Sequence, residues 1–166
     1  MQNIFDAGTI DVIIRLFMAL FLGMLIGTER LYAHKTASMR TYALVAMGSA
    51  LFLIISGEMV KYYSALPDTN PLVLVAQIVV GVGFIGTGLI FNKDSKLTGL
   101  TTATGLWVSA GVGMASGFGL YKIAIIAALF TLFIFTVLWF IEQQLKKMKF
   151  FQHEYGKENP VEEVHL

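Results

Sequence analysis

Residues 9–30 of the chain read TIDVIIRLFMALFLGMLIGTER, and this stretch decides the fold class. It is largely apolar and long enough to cross a hydrocarbon core of roughly 30 Å as a helix. It ends in Gly27-Thr28-Glu29-Arg30, and after a short link a second apolar stretch opens at Arg40-Thr41. Charges at the ends of membrane-length segments are costly to misplace, so they are the first candidates for functional residues.

The composition supports a membrane protein throughout. Of 166 residues, 56% are hydrophobic and only 14% are charged, and the mean hydropathy is +0.71. A soluble domain of this length would carry more charge on its surface. The apolar segments are continuous rather than alternating, which favours helices over an outer-membrane barrel. The net charge of +1 gives no indication of nucleic-acid binding, and the sequence contains no cysteine for disulfides or thiolate metal sites.

Five apolar segments are long enough to cross a membrane, so we expect an all-α membrane protein built as a compact bundle of about five transmembrane helices. Residues 1–144 form this transmembrane domain and residues 145–166 a short polar tail. The early charges Asp6 and Asp11 are acidic, so we expect the N-terminus to be the mature start and not a signal peptide. The predicted spans are 9–27, 41–60, 72–91, 99–117 and 121–141.

Lysine and arginine set the predicted orientation, because cytoplasmic loops carry an excess of them. Nine lie at one side of the predicted bundle, whereas Lys61 and Lys122 alone lie at the other side and Arg15 lies within the first span. The bias places the N-terminus outside and the C-terminus in the cytoplasm. The nine are Arg30, Lys35, Arg40, Lys93, Lys96, Lys146, Lys147, Lys149 and Lys157.

Small residues recur at steps of four, as in Ala19-Gly23-Gly27 of span one and Thr101-Gly105-Ser109-Gly113-Gly117 of span four. Small residues let membrane helices pack closely, so the pattern predicts a compact bundle. Two alternatives remain open: dimerisation through one stripe, and a broken helix at residues 81–88 that frees carbonyls for a cation. Span five is bulky and aromatic and is expected to face lipid. The glycines expected at close contacts are Gly23, Gly27, Gly81, Gly83, Gly86, Gly88, Gly105 and Gly113.

Polar residues within the spans fall into two layers by depth. The predicted outer layer contains Asp11, Arg15, Glu58 and Gln77. Asp11 and Arg15 are four residues apart and are expected to pair on one helix face. This pair either satisfies itself structurally or faces a partner or water, because an arginine at this depth usually has a polar neighbour.

The predicted inner layer lies on the cytoplasmic side and brings together one carboxylate, two guanidinium groups and several hydroxyls. Glu29 is expected to pair with Arg40 across the link, which would leave Arg30 for headgroups or a partner. The layer either binds something or only fixes the helix ends. Its residues are Glu29, Arg30, Arg40, Thr41, Thr101 and Thr102.

The sequence contains no signature of catalysis or cofactor binding. Phosphate-binding loops, nucleophile elbows and zinc-protease motifs are absent, so we expect no enzyme activity and no cofactor. The three histidines lack the spacing of metal ligands, and no metal site is predicted.

The order of these motifs resembles the MgtC/SapB family of bacterial membrane proteins. The resemblance covers about residues 10–125 and runs through Gly27-Thr28-Glu29-Arg30 and residues 35–41. It continues in Ala76-Gln77, in residues 81–88 and in residues 99–107. The chain departs from the family where Ala37-Ser38-Met39 precedes Arg40, at residues 72–75 and at Thr98, where members usually have other or basic residues. Many members continue into a soluble ACT-like domain, and we expect this chain to correspond to the membrane domain alone.

The resemblance implies a multi-pass protein of the bacterial inner membrane, linked to magnesium limitation and, in pathogens, to virulence. It implies a non-enzymatic regulatory role on membrane partners such as the F-type ATP synthase or a transport ATPase. Membrane lipids and a second copy of the chain are further expected partners, and nucleic acid is not. The alternative is a small ion or solute transporter, which is the historical description of the family as magnesium transporters.

Overall fold

The computed structural model of the protein describes residues 7–62, 72–93 and 96–147, and this part of the chain is almost entirely helical. Apart from one small hairpin, every element is a helix, which confirms the prediction of an all-α membrane protein. In chain order the elements are α1 (Ala7–Tyr32), α2 (Met39–Tyr62), α3 (Leu72–Thr87), β1 (Phe91–Lys93), β2 (Lys96–Thr98), α4 (Leu100–Gly117), α5 (Tyr121–Phe133), a π-helical turn (Ile134–Leu138) and α6 (Trp139–Lys147).

Three helical segments have the length and composition to cross a membrane: Ala7–Tyr32, Met39–Lys61 and Tyr121–Leu145. Helix α3 is apolar but has only 16 residues. Helix α4 has 18 residues and is rich in threonine, serine and glycine. Three segments therefore support the assignment to the class of membrane proteins. It stays a prediction that α3 and α4 also cross the membrane, and so does the orientation of the bundle.

The core lies where α1, α2 and α4 pack against one another, with α3 packed on α4 and more lightly on α2. One core cluster consists only of small side chains, Ala19, Ala46 and Ala50, and a second consists of Leu53, Ile78, Val82 and Ala110. Small side chains let the helix backbones approach closely, as lipid-embedded bundles require. Many large apolar side chains lie on the surface; Phe84 is 82% exposed. This inside-out distribution suits a bundle surrounded by lipid.

The third predicted span is shorter than expected, because α3 ends at Thr87 and the chain turns into a hairpin. The two strands pair antiparallel, with Phe91 opposite Thr98 and Asn92 opposite Leu97. Gly99 follows with a φ of 89°, and a Cβ there would lie 2.0 Å from the Leu89 carbonyl oxygen. Only glycine fits this left-handed position, and it sets the direction in which α4 begins.

The chain divides into two units, residues up to Leu132 and residues from Phe133. In the second unit the π-helical turn precedes α6, and Trp139 and Phe140 are more than half exposed. In the first unit Phe130 is 64% exposed. The aromatic residues expected to face lipid are thus on the surface of their own unit, with Phe135 buried as the exception.

Most of the polar tail predicted for residues 145–166 lies outside the described residues, because α6 ends at Lys147 and residues 148–166 are not described. The link at residues 63–71 and the pair Asp94-Ser95 between the two strands also lie outside them.

Candidate functional site: two polar clusters

Arg15 forms the centre of a polar cluster at one end of α4. Its Nη2 lies 2.7 Å from Oδ2 of Asp11, one helical turn earlier on α1. Its Nη1 donates a hydrogen bond of 2.8 Å to the backbone carbonyl oxygen of Gly117. A cation at a helix C-terminus is also favoured by the helix dipole. The predicted Asp11–Arg15 pair is therefore present, and its second partner is a main-chain group on a different helix.

The end of α4 explains why that carbonyl is available. Gly119 has a φ of 75°, and its backbone N–H donates to the Ser116 carbonyl at 2.9 Å, while Leu120 donates to the Ala115 carbonyl at 2.8 Å. These two bonds are a Schellman motif, which satisfies two of the last carbonyls of a helix. Gly117 is not served by the motif, and Arg15 supplies its donor instead.

A cavity of about 220 Å³ opens beside Arg15. Glu58 and Lys61 line it from α2, and they form their own ion pair at 2.6 Å. Asp11 and Arg15 line it from α1, and Gly117 and Phe118 from the end of α4. We call Asp11, Arg15, Glu58 and Lys61 the Arg15 cluster. Lys61 was not among the predicted site residues, although its spacing of three from Glu58 on a helix indicated a pair.

Gln77 does not join the Arg15 cluster, which corrects the prediction of one outer layer. It lies on α3 and lines a different, mainly apolar groove of about 540 Å³ between α2 and α3, together with Ser49 and Gly81. On α2 this groove is lined by residues between Leu44 and Phe52, whereas the cavity beside Arg15 is lined by residues between Leu53 and Lys61. Gln77 therefore faces an earlier part of α2 than the Arg15 cluster does, and α3, which carries it, packs mainly on α4.

Arg30 forms the centre of a second cluster, at the opposite end of α4. Arg30 is only 3% exposed, and its Nε donates a hydrogen bond to Oε2 of Glu29. Arg30 follows Ala19, Gly23 and Ile26 on the buried stripe of α1, so helical phase alone turns it into the bundle. The predicted Glu29–Arg40 pair is therefore wrong: Arg30 takes Glu29, and Arg40 is exposed at the start of α2.

Tyr42 completes this second cluster and was missed by sequence reasoning. Its fully buried hydroxyl donates to the Thr102 carbonyl at 3.1 Å, and its own carbonyl accepts a 3.0 Å hydrogen bond from the Ser109 hydroxyl. The charges of Arg30 and Glu29 act on the Tyr42 hydroxyl as well. We call Glu29, Arg30, Tyr42 and Thr102 the Arg30 cluster. A tyrosine at the entry of an apolar helix was the available signal, because a buried hydroxyl needs a partner.

The remaining predicted inner residues lie at the surface. Thr101 is exposed while its neighbour Thr102 is buried, and Thr41 is half-buried beside buried Tyr42. In each pair one side chain is buried and its neighbour is more exposed, because adjacent residues on a helix point about 100° apart. The predicted inner layer thus divides into a buried part, the Arg30 cluster, and an exposed part with Arg40, Thr41 and Thr101.

Between the two clusters the helix backbones are in direct contact through glycine. A Cβ on Gly113 would lie 2.0 Å from the Ala46 carbonyl oxygen, and one on Gly23 would lie 2.7 Å from the Tyr42 carbonyl oxygen. At Gly27 the nearest atom would be the Met39 Cα at 2.6 Å. Close packing therefore occurs at these three predicted positions, and Gly105 on the same stripe is buried.

The glycines of α3 behave differently. Within the described part of the chain, nothing lies within 4 Å of a Cβ placed on Gly81 or Gly83, so the close contacts predicted there are wrong. Gly86 and Gly88 would meet only ordinary contacts, the nearest at 3.6 Å and 3.4 Å. Helix α3 also runs unbroken to Thr87, so the broken helix proposed for residues 81–88 does not form.

The described residues contain no group of three or more His, Cys, Asp or Glu side chains that could hold a metal ion. Each cluster instead pairs acids with bases. These ion pairs neutralise charge inside an apolar bundle, and only part of each cluster is accessible at the surface.

Apolar spanning helices, glycine-mediated packing and internally paired charges define a helical membrane protein. A model of the MgtC family matches residues 16–144, and the chain belongs to this family. The resemblance seen in the sequence motifs is thereby confirmed.

Several relatives support the assignment. The chain is 40% identical over 131 residues to the "Putative magnesium transporter YhiD" of Escherichia coli K12, covering 78% of this chain and 61% of that protein. It is 40% identical over 127 residues to "Protein SapB" of Bacillus subtilis, covering 74% and 54%. It is 42% identical over 120 residues to "Protein MgtC" of Salmonella typhimurium strain LT2, covering 72% and 49%. The aligned part thus spans about half to three fifths of these relatives. No solved structure matches the chain significantly.

Proposed function

We propose that the protein is a non-enzymatic regulator that binds another membrane protein in the bacterial inner membrane, which it crosses several times. The observation that carries the proposal is the closed core between the two clusters. The charged side chains of the two clusters form ion pairs within the chain. Between the clusters, the helix backbones are in direct contact at glycines. Such a bundle is suited to presenting a surface. By family resemblance the partner is an ATP synthase or a transport ATPase, and the setting is adaptation to magnesium limitation or virulence.

The packing between the clusters supports binding over conduction. Gly113 leaves no room for a methyl group against the Ala46 carbonyl, and Gly23 leaves none against the Tyr42 carbonyl. An ion passing between α1, α2 and α4 would need a polar path wider than these contacts. Interiors packed to this density do not yield to an ion without a concerted movement of the helices.

The groove between α2 and α3 is the surface that fits a partner. It is mainly apolar, and no described residue lies within 4 Å of a Cβ placed on Gly48 or Gly81 in its wall. Gln77 lies in it, exposed and, among the described residues, without a hydrogen bond. Open glycines and a single amide are the features through which membrane helices associate. The proposed occupant is a transmembrane helix of the partner that offers a hydrogen-bonding side chain to Gln77.

A crosslinking experiment in native membranes tests the proposal. A photoreactive side chain replaces Ile85, which lines the groove, or Phe84, which is not among the groove residues and serves as the matched control. We expect a stoichiometric protein adduct from position 85 and none from position 84. Gln77→Leu should weaken the adduct. Equal labelling at both positions, or adducts with lipid alone, would contradict the proposed docking surface.

Transport is the second candidate, and the cavity at the Arg15 cluster favours it. A relative is named a putative magnesium transporter, and the cavity contains two carboxylates. Mg²⁺ prefers octahedral oxygen ligands and gives up its waters reluctantly, so it would have to bind largely hydrated beside Arg15 and Lys61. Mg²⁺ flux measured with purified protein in sealed vesicles distinguishes the two functions. We expect no flux, and a flux that Glu58→Gln abolishes would establish transport instead.

A further inference from the structure

The cavity at the Arg15 cluster has a balanced set of charges on an accessible surface. Asp11 and Glu58 bring two carboxylates, and Arg15 and Lys61 bring a guanidinium and an ammonium group. Their side chains are 49%, 47%, 30% and 72% exposed, in that order. All four charged side chains are therefore partly exposed and accessible to a ligand.

The charge balance selects the kind of ligand. A simple anion beside Arg15 would be close to the Asp11 carboxylate, and a simple cation beside Glu58 would be close to the Lys61 ammonium group, so each would meet repulsion. A ligand that carries both charges, a few ångströms apart, can place each against its opposite. Charge-assisted hydrogen bonds of both signs then form together.

We propose that this cavity binds a phosphoethanolamine group, as the headgroup of phosphatidylethanolamine. The phosphate would contact Arg15 and Lys61, and the primary ammonium would donate hydrogen bonds to Asp11 and Glu58. A choline headgroup has no N–H to donate, and a glycerol headgroup has no positive charge. The cavity of about 220 Å³ lies among partly exposed side chains and leaves room for this compact group.

The surface around the cavity is suited to the rest of a lipid. Ile14 lies three residues after Asp11, and Ile55 lies three before Glu58, so each shares a helix face with a charged residue of the cluster. Both isoleucines are nearly half exposed, and Phe118 at the cavity wall is 43% exposed. A headgroup in the cavity would therefore leave its acyl chains on apolar surface.

Native mass spectrometry of the full chain tests the proposal. The protein is equilibrated with equal amounts of phosphatidylethanolamine, phosphatidylcholine and phosphatidylglycerol. We expect wild type to retain the ethanolamine lipid about tenfold over either other lipid, the size of one charge-assisted hydrogen bond. Glu58→Gln and Lys61→Gln should each reduce this preference to less than about threefold. Both side chains are largely exposed, so circular dichroism should show an unchanged fold.

Lys122→Gln is the matched control, because Lys122 is exposed, is predicted on the same side and is not among the cavity residues. It should keep the full preference. Free phosphoethanolamine separates two sources of the same chemistry: displacement of the lipid shows that the soluble group suffices, and lack of displacement shows that the lipid is the ligand. Equal retention of the three lipids by wild type, or an unchanged preference in Glu58→Gln and Lys61→Gln, would overturn the proposal.

Discussion

Gly113→Ala should destabilise the bundle, although the same change elsewhere on α4 should stabilise it. The added methyl carbon would lie 2.0 Å from the Ala46 carbonyl oxygen and 2.6 Å from its carbonyl carbon. Both are backbone atoms, so no side-chain rotation relieves the overlap. Reaching even the shortest tolerable contact requires α2 to move by about 1 Å, and overpacking of this kind costs roughly 1–3 kcal/mol or more.

Gly111→Ala is the matched control on the same helix. Within the described residues, nothing lies within 4 Å of a Cβ at Gly111, so the change should add only helix propensity, about 1 kcal/mol. The two variants should therefore differ in the free energy of unfolding by roughly 2–4 kcal/mol, in favour of Gly111→Ala.

Unfolding by SDS titration, followed by far-ultraviolet circular dichroism, measures this difference in mixed micelles. A Gly113→Ala variant that is as stable as Gly111→Ala would refute the backbone contact between α2 and α4. It would also remove the main support for a closed core, because that contact lies between the two polar clusters.

Three further predictions concern the polar residues, each measured by the same unfolding assay. Arg15→Met should lower the free energy of unfolding by roughly 1.5–3 kcal/mol, because the Gly117 carbonyl and Asp11 lose their donor. Arg15→Lys should lower it by less, and equal losses in the two variants would argue against the specific hydrogen bond. Arg30→Leu should lower the free energy of unfolding by about 3–5 kcal/mol, because it leaves the largely buried Glu29 without its partner. Arg40→Leu, at an exposed position, should change it by less than about 0.5 kcal/mol. A larger loss for Arg40→Leu than for Arg30→Leu would contradict the assignment of the two arginines. Tyr42→Phe should cost about 0.5–1.5 kcal/mol, one buried hydrogen bond, and no loss would show that the Thr102 carbonyl finds another donor.

Some of the site could be predicted because helical periodicity acts within one helix. Asp11 and Arg15 are four residues apart, and that spacing alone indicated their pair. The burial of Arg30 was equally accessible: it continues the stripe of Ala19, Gly23 and Ile26 and so had to face the bundle. The prediction instead left Arg30 for headgroups or a partner and paired Glu29 with Arg40 across the link, which was the wrong partner for Glu29.

Other features depend on contacts that side-chain patterns do not reveal. The acceptor of Arg15 is a main-chain carbonyl at Gly117, which no residue type marks. Gln77 was predicted to lie with the Arg15 cluster but lies in another groove, because the sequence does not state which neighbour α3 packs on. The strands at 91–93 and 96–98 have three residues each, too few for an alternating pattern to be visible.

The hydrogen bond from Arg15 to Gly117 also links the assembly of the bundle to the order of synthesis. Its partners are 102 residues apart in the chain. At ribosomal rates of about 5–20 residues per second, Arg15 exists for roughly 5–20 s before its acceptor is made. During that time Asp11 is the partner available within α1, and the end of the first helix is incompletely fixed. Arg15 therefore gains its main-chain acceptor only when the end of α4 has been made, before the last membrane-length segment, Tyr121–Leu145, is synthesised.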